Sequence, residues 1–183
     1  MSSLGMRVPA TTRKKLRATA AHLRKSFGIA TERFPIEQVV DVGLSAAFDG
    51  QYTFAVLGQN EMGNDHGLTD PDRKIMLIRE DVYDGACLGS GRDRFTLAHE
   101  LGHFVLHGNT YLARSLPSAV GSRHHEKYED SEWQADTFAA ELLMPVAMVQ
   151  ACSSPAELME RAGVSRAAAE TRFKVLRNEG LIR

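Results

Sequence analysis

The sequence predicts an α+β domain, mostly helical with a small β-sheet, on three observations. Apolar residues recur at helical spacing in 10–27, between Asp93 and Gly108, and in 131–144. A hairpin pattern at 67–78 surrounds a proline turn and ends on Ile75–Ile78, the clearest strand in the chain. The length of 183 residues and the hydrophobic share of 43% suit one packed domain with a small appended element.

The chain opens with a loose segment at 1–9 and continues as an amphipathic helix at 10–27. The apolar side of this helix carries Leu16, Ala20, Leu23 and Phe27. Its opposite side is basic, with Arg13, Lys14, Lys15, Arg17, Arg24 and Lys25. A basic face fits contact with nucleic acid or an acidic partner, or simple solvation. We favour solvation, because charge runs on helices are usually solvated faces.

The next segment predicts a short helix followed by strands. The helix begins at Phe34-Pro35-Ile36 and ends at Gly43, and Leu44 to Phe48 is expected to be a strand. Residues 51–57 are apolar and aromatic and fit either a strand or a helix, and 58–66 is rich in turn residues. The hairpin then leads through a glycine-containing loop into the next helix.

Residues 99–103 carry the H-E-x-x-H pattern of zinc proteases, and the rest of the chain is organised around them. On a helix, His99 and His103 share one face with Cα atoms about 6 Å apart, close enough to bind one tetrahedral metal ion. Glu100 follows the first ligand directly, so its carboxylate can act as general base. We expect Asp93 to cap this helix and Gly108 to end it.

The helix at 131–144 offers the third ligand. Glu132 and Asp136 lie four residues apart on one face, Asp130 or Ser131 can cap the start, and Pro145 closes the end. A carboxylate as third ligand leaves the fourth zinc position open, as catalytic sites require. Asp136 can accept a hydrogen bond from a ligand imidazole and fix its tautomer. The alternative is that both carboxylates are solvated helix residues.

Other histidines compete for the third position. His107 would lie about 12 Å from the first ligand along the same straight helix, so three imidazoles cannot easily converge. We place His107 at the cleft wall or helix end, where it or Tyr111 could stabilise an oxyanion. The polar connection 108–126 has the length of a functional lid. It contains His124 and His125, which could be ligands but fit lid or surface positions better.

The tail has the outline of a helix-turn-helix. A short helix starts at Pro155, a glycine turn follows, and a second helix runs from Arg166 to Asn178 with Ser165 as its N-cap. Its basic residues could contact DNA. We favour two helices that complete the core, because the net charge is only −1 and a third helix is missing.

Domain organisation and compartment follow from composition. We expect a basic N-terminal helix in 1–29, a metallopeptidase domain in 30–150 and a packed helical segment in 151–183. No signal peptide or membrane-spanning run is visible, which predicts a cytoplasmic protein without a membrane partner. Cys87 and Cys152 form no C-x-x-C pair and resemble reduced thiols. Direct DNA binding would depend on local patches in 10–27 or 155–183.

Two motifs carry a family resemblance. Residues 94–103 (RFTLAHELGH) with Leu106-His107, followed by 132–145 (EWQADTFAAELLMP), resemble the ImmA/IrrE family of metallopeptidases. The resemblance runs from about residue 30 to the C-terminus. Many relatives carry Asn at the position of Asp136.

The resemblance implies a zincin-like fold. It implies His99, His103 and Glu132 as ligands of one zinc ion per chain, and Glu100 as catalytic base. Several members of this family cleave a helix-turn-helix repressor. The sequence therefore predicts a zinc endopeptidase that cleaves such a repressor or antitoxin and derepresses stress or mobile-element genes. The alternative is a non-catalytic regulator or toxin–antitoxin component that binds a protein or DNA partner.

Overall fold

A computed structural model of the chain describes residues 5–108 and 125–183. The predicted α+β class is confirmed: helices surround one small sheet. The helices are α1 (Arg13–Ser26), α2 (Ile36–Gln38) continued by a π-helical turn (Val39–Gly43), α3 (Leu44–Ala47), α4 (Gln59–Met62), α5 (Glu80–Cys87), α6 (Gly91–Leu106), α7 (Ser131–Leu143), α8 (Val146–Gln150), α9 (Pro155–Ala162) and α10 (Arg166–Asn178). The strands are β1 (Thr53–Leu57), β2 (Gly67–Asp70) and β3 (Ile75–Arg79).

The sheet has the strand order β1-β3-β2. β1 runs parallel to β3, and β2 pairs antiparallel with β3 from Gly67↔Ile78 to Asp70↔Ile75, as the hairpin pattern predicted. The order leaves β2 at one end of the sheet, packed beside α6. The helix that carries the H-E-x-x-H motif therefore rests on this strand.

The core is built around the α6–α7 pair. Leu97, Leu101, Phe138 and Leu142 have no accessible surface, as their helical spacing requires. Helices α9 and α10 add Leu158, Ala162, Phe173 and Leu176 to the same cluster. The tail thus packs on the core, while the domain boundaries themselves stay a prediction.

Several basic residues of α1 and the tail are tied to carboxylates within the chain. Arg17 pairs with Glu141 and Glu179, and Arg172 forms a buried bidentate pair with Glu141. Their charge is therefore neutralised locally. Within the described residues, no helix is long and apolar enough to cross a membrane.

Residues 5–9 form what we call the N-terminal strap, and the expectation of a loose start is wrong for them. The Gly5 N–H donates to Asp130 Oδ2 at 2.9 Å, and the Met6 N–H donates to Ser131 Oγ at 3.0 Å. The Ser131 N–H donates back to the Met6 carbonyl at 3.0 Å. The strap therefore lies along the start of α7.

Two predictions about local structure are wrong. Leu44 to Phe48 is helical at Leu44–Ala47, because Ile36, Val40 and Leu44 continue one buried stripe at four-residue spacing. Ser90, and not Asp93, caps α6: its Oγ accepts the Asp93 N–H. Asp93 lies in the first turn, where the helix dipole favours its charge.

A helix separates β3 from α6. The sequence predicts a loop there, but Glu80–Cys87 is helical and buries Val82 and Ala86, again four residues apart. This helix packs on α6 and on the strands β1 and β3, so it links α6 to the sheet.

Candidate metal centre

The two histidines of the motif lie one turn apart on α6 with their imidazoles side by side. His99 Nε2 and His103 Nε2 are 3.0 Å apart. Glu132, in the first turn of α7, points its carboxylate at both rings: Oε2 is 3.2 Å from His99 Nε2, and Oε1 is 3.4 Å from His103 Nε2. Two helices thus bring three donor groups to one point.

The three distances between the donor atoms of His99, His103 and Glu132 match those between the ligands of a tetrahedral zinc ion. With bonds of about 2.0–2.1 Å, neighbouring ligands on a tetrahedral zinc ion lie about 3.3–3.4 Å apart. The donor set of two imidazoles and one carboxylate is typical of catalytic zinc sites. In the described part of the chain, His99, His103 and Glu132 are the group of metal-binding side chains whose donor atoms converge.

The far nitrogen of each imidazole is held by a different partner. His99 Nδ1 lies 2.8 Å from Asp136 Oδ1, which is the arrangement proposed for Asp136 from its spacing. A carboxylate only accepts, so Nδ1 carries a proton, and Nε2, which faces Glu132, is the nitrogen that would bind a metal. His103 Nδ1 lies 3.1 Å from His107 Nδ1.

The electrostatics of the metal-free centre favour binding of a cation. Hydrogen bonds with His103 and His99 hold the pKa of Glu132 far below its usual range, so its carboxylate is charged. Burial lowers the pKa of His99, but hydrogen bonds with Asp136 and Glu132 outweigh burial and raise it to about 10. A proton thus occupies His99 at neutral pH, and a metal ion must displace it.

Glu100 is held against the sheet. Its side chain is buried, and Oε2 accepts a 2.6 Å hydrogen bond from Thr69 Oγ1. Gly67 shares the same face of β2, and a Cβ there would lie 2.6 Å from Glu100 Cγ. A glycine at 67 and a hydroxyl at 69 therefore fix where the carboxylate sits.

The remaining predicted site residues lie elsewhere. His107 ends α6 with its imidazole buried, and Nε2 lies 3.3 Å from Gln134 Oε1. Burial, followed by repulsion from His103, lowers the pKa of His107 to about 4. His125 Nε2 contacts Asp130 Oδ2 at 2.9 Å, apart from the three converging donors. Tyr111, His124 and most of the proposed lid lie outside the described residues.

The start of α7 is fixed by contacts that position Glu132. Asp130 caps the helix: its Oδ1 accepts the Trp133 N–H at 2.9 Å. Gly5 of the strap passes so close that a Cβ would lie 2.7 Å from Glu132 Cγ and 2.5 Å from Ser131 Oγ. No side chain larger than hydrogen fits at position 5 without displacing Glu132.

Comparison with known proteins identifies the family. The sequence profile of the IrrE N-terminal-like domain matches residues 54–174, more than half of the chain. The chain belongs to this family. Both motifs on which the resemblance was based lie inside the matched range.

Curated relatives of this IrrE-like chain come from two bacteria. The radiation response metalloprotease IrrE of Deinococcus radiodurans is 33% identical over 105 residues, which cover 57% of this chain and 28% of the relative. Its namesake in Deinococcus deserti is 32% identical over 131 residues, covering 64% and 40%. The chain therefore spans less than half the length of the relatives it matches.

A solved structure shares the fold. The Mycobacterium tuberculosis transcriptional regulator matches 88% of this IrrE-like chain with a TM-score of 0.59 and 16% sequence identity. The match covers 46% of that regulator. This likeness supports the fold alone.

Three contributors to the site were not found from the sequence. Thr69 and Gln134 carry weak signals, a hydroxyl within an apolar hairpin and an amide within a buried helical stripe. Gly5 carries no signal, because its contact with the start of α7 joins residues that are far apart in the chain. Contacts between elements that are distant in the sequence determine the roles of all three residues.

Proposed function

We propose that this chain is a zinc-dependent endopeptidase. The observation that carries the proposal is the convergence of His99, His103 and Glu132 within 4.8 Å, with Glu100 next to the first ligand on the same helix. The family and the names of the two metalloprotease relatives support the same class of activity. His99, His103 and Glu132 would hold the ion.

Zinc would supply Lewis acidity, which polarises a peptide carbonyl and makes water more acidic. Glu100 would accept a proton from the attacking water and pass it to the leaving amine. Thr69 would hold the Glu100 carboxylate in one orientation through its 2.6 Å hydrogen bond. Asp136 would keep the His99 proton on Nδ1, which leaves Nε2 free to ligate. Tyr111 would stabilise the oxyanion, since both ring nitrogens of His107, the other candidate, contact neighbouring side chains.

For the substrate, we propose a helix-turn-helix transcriptional repressor or antitoxin inside the cell. Its cleavage would derepress stress or mobile-element genes. The resemblance to ImmA/IrrE peptidases supports this substrate class. The alternative, a non-catalytic regulator that binds DNA, is weakened because Arg17 and Arg172 are committed to internal ion pairs.

The test is cleavage of a repressor encoded beside this chain, by purified protein with zinc, followed by gel electrophoresis and mass spectrometry. Glu100→Gln should bind zinc as the wild type does and lose cleavage by about 10³-fold or more, since it removes the general base. Glu160→Gln, an exposed change on α9, should leave cleavage unchanged.

Two results would contradict the proposal. Glu100→Gln cleaving at the wild-type rate would exclude the general-base mechanism. A wild-type protein that holds zinc but cleaves neither the repressor nor a cell-derived protein mixture, analysed by labelling of new N-termini, would exclude the endopeptidase. Specific, salt-sensitive binding to its own promoter would then support the regulator.

A further inference from the structure

A chain of hydrogen bonds runs from the metal centre to the N-terminal strap. His103 Nδ1 lies 3.1 Å from His107 Nδ1, and His107 Nε2 lies 3.3 Å from Gln134 Oε1. Gln134 Nε2 lies 2.9 Å from the carbonyl oxygens of both Pro9 and Tyr128. His107 and Gln134 are both buried.

The donor and acceptor of every hydrogen bond in this series follow from the bonds that Gln134 makes with backbone carbonyls. Backbone carbonyls only accept, so the two N–H groups of Gln134 donate to Pro9 and Tyr128. The opposite amide orientation would place Oε1 against two other oxygens. Oε1 therefore faces His107, and His107 Nε2 must carry the proton that it accepts.

His107 connects Gln134 to His103, so its tautomer determines which nitrogen of His103 carries a proton. A neutral His107 with its proton on Nε2 has a lone pair on Nδ1, so it accepts from His103 Nδ1–H. With its proton on Nδ1, a neutral His103 leaves Nε2 available to bind the metal beside Glu132. A His107 with the proton on Nδ1 would force the His103 proton onto Nε2, where it blocks the metal.

We propose that His107 and Gln134 are positioning residues that set the tautomer of His103, and through it the zinc affinity, with the N-terminal strap as their anchor. The inference rests on the proposed metal site and assigns to His107 a role other than ligand or oxyanion stabiliser. Asp136 alone holds the proton on His99 Nδ1, whereas His103 depends on His107 and Gln134 because no carboxylate lies behind it among the described contacts.

Matched variants at position 107 test the proposal. His107→Leu removes the acceptor, and we expect zinc affinity, measured by competition with a chromophoric chelator, to fall about 10–100-fold. His107→Gln keeps one acceptor and one donor in the same order and should restore affinity to within about threefold. Gln134→Leu should behave as His107→Leu does. Thr137→Val removes another buried polar group from α7 and should not change affinity. Circular dichroism and melting temperature identify any variant that fails to fold.

The tautomers themselves are the decisive readout. Long-range ¹H–¹⁵N spectra of the metal-free, histidine-labelled wild type should show the His107 proton on Nε2 and a proton on His103 Nδ1. A His107 proton on Nδ1 overturns the relay, as does unchanged zinc affinity in both His107→Leu and Gln134→Leu. A wild type that binds no zinc overturns the proposed function and the affinity claim together. The spectra need no metal, so they separate that result from an incorrect relay.

Discussion

Gly102 crosses α7 at Ala135 so closely that a Cβ on the glycine would lie 3.0 Å from the Ala135 Cα and 3.1 Å from its carbonyl oxygen. Gly102 stands one residue before His103, and Ala135 one turn after Glu132. The small residues allow α6 and α7 to approach, and this approach brings a carboxylate of one helix to the imidazoles of the other. The distance between Glu132 and the two histidines is therefore set by the close crossing of α6 and α7.

Gly102→Ala should separate the helices by a few tenths of an ångström. We expect zinc affinity to fall several-fold, while stability changes little because alanine gains about 1 kcal/mol of helix propensity that offsets the crowding. The measurement is chelator competition beside thermal unfolding. Gly108→Ala is the control, since among the described residues a Cβ there meets only the Pro71 Cβ at 3.9 Å. Full zinc affinity in Gly102→Ala would show that the crossing distance does not govern the site.

Thr69→Val should reduce turnover without loss of metal. The change keeps the shape of the side chain and removes the donor to Glu100, so the carboxylate loses its fixed orientation. We expect kcat to fall about tenfold, less than the roughly 10²–10⁴-fold expected for loss of the general base itself, because the carboxylate stays beside the site. Thr69→Ser, which keeps the hydroxyl, should retain most of the activity. Equal kcat values for Thr69→Val and the wild type would show that Glu100 needs no support from β2.

Substitutions of Asp136 should show whether zinc affinity depends on the hydrogen bond to His99 or on the charge of the carboxylate. Asp136→Asn keeps an acceptor for His99 Nδ1–H and should bind zinc within about tenfold of the wild type. Asp136→Leu removes the acceptor and should weaken binding about 10–100-fold. Chelator competition at pH 7.5 gives both values. If Asn binds as weakly as Leu, the charge matters and the tautomer explanation is wrong.

The buried Arg172–Glu141 pair predicts a pH-dependent stability. Burial raises the pKa of Glu141, but hydrogen bonds from Arg172 and Arg17 outweigh burial and hold it below its usual range. Glu141→Gln leaves the guanidinium of Arg172 without its anion, so we expect a loss of about 3 kcal/mol at pH 7 in urea unfolding.

The sign of the pH effect follows from the lowered pKa. The Glu141 contribution is complete above the unfolded carboxyl pKa of about 4.3 and is lost as pH falls through the lower folded value. The difference between wild type and Glu141→Gln should therefore shrink below about pH 4. Glu170→Gln breaks the exposed pair with Arg166 and should cost no more than about 0.5 kcal/mol. A constant difference across this pH range would contradict the assignment.

Local pattern was enough to predict the main helices, the hairpin and the likeness to ImmA/IrrE peptidases. The spacing of His99 and His103 on one face, and of Glu132 and Asp136 on another, is a property of the helix itself. Leu44 was misassigned because Gly43 resembles a helix end, whereas burial of one continuous stripe carries the helix through it. Where a turn-favouring residue and a buried apolar stripe indicate different structures, the local sequence alone does not determine which one forms.

The supports of the site could not be predicted, for a different reason. Thr69 meets Glu100 only because β2 lies beside α6, and Gln134 meets His107 only because α7 crosses α6. Both contacts depend on the arrangement of whole elements, which periodicity does not contain. The identity of Gln134, buried among apolar neighbours, gives only a hint that a polar partner is near.

The strap reaches the metal centre with main-chain atoms. The Pro9 carbonyl anchors Gln134, and Gly5 passes Glu132 with no side chain. Every amino acid has the same carbonyl, so the anchor on Gln134 does not depend on the side chain at position 9. A side chain introduced at position 5 would therefore lower the metal content of a protein that is folded and carries every ligand. Loss of metal in a variant of this protein does not by itself locate the change at a ligand.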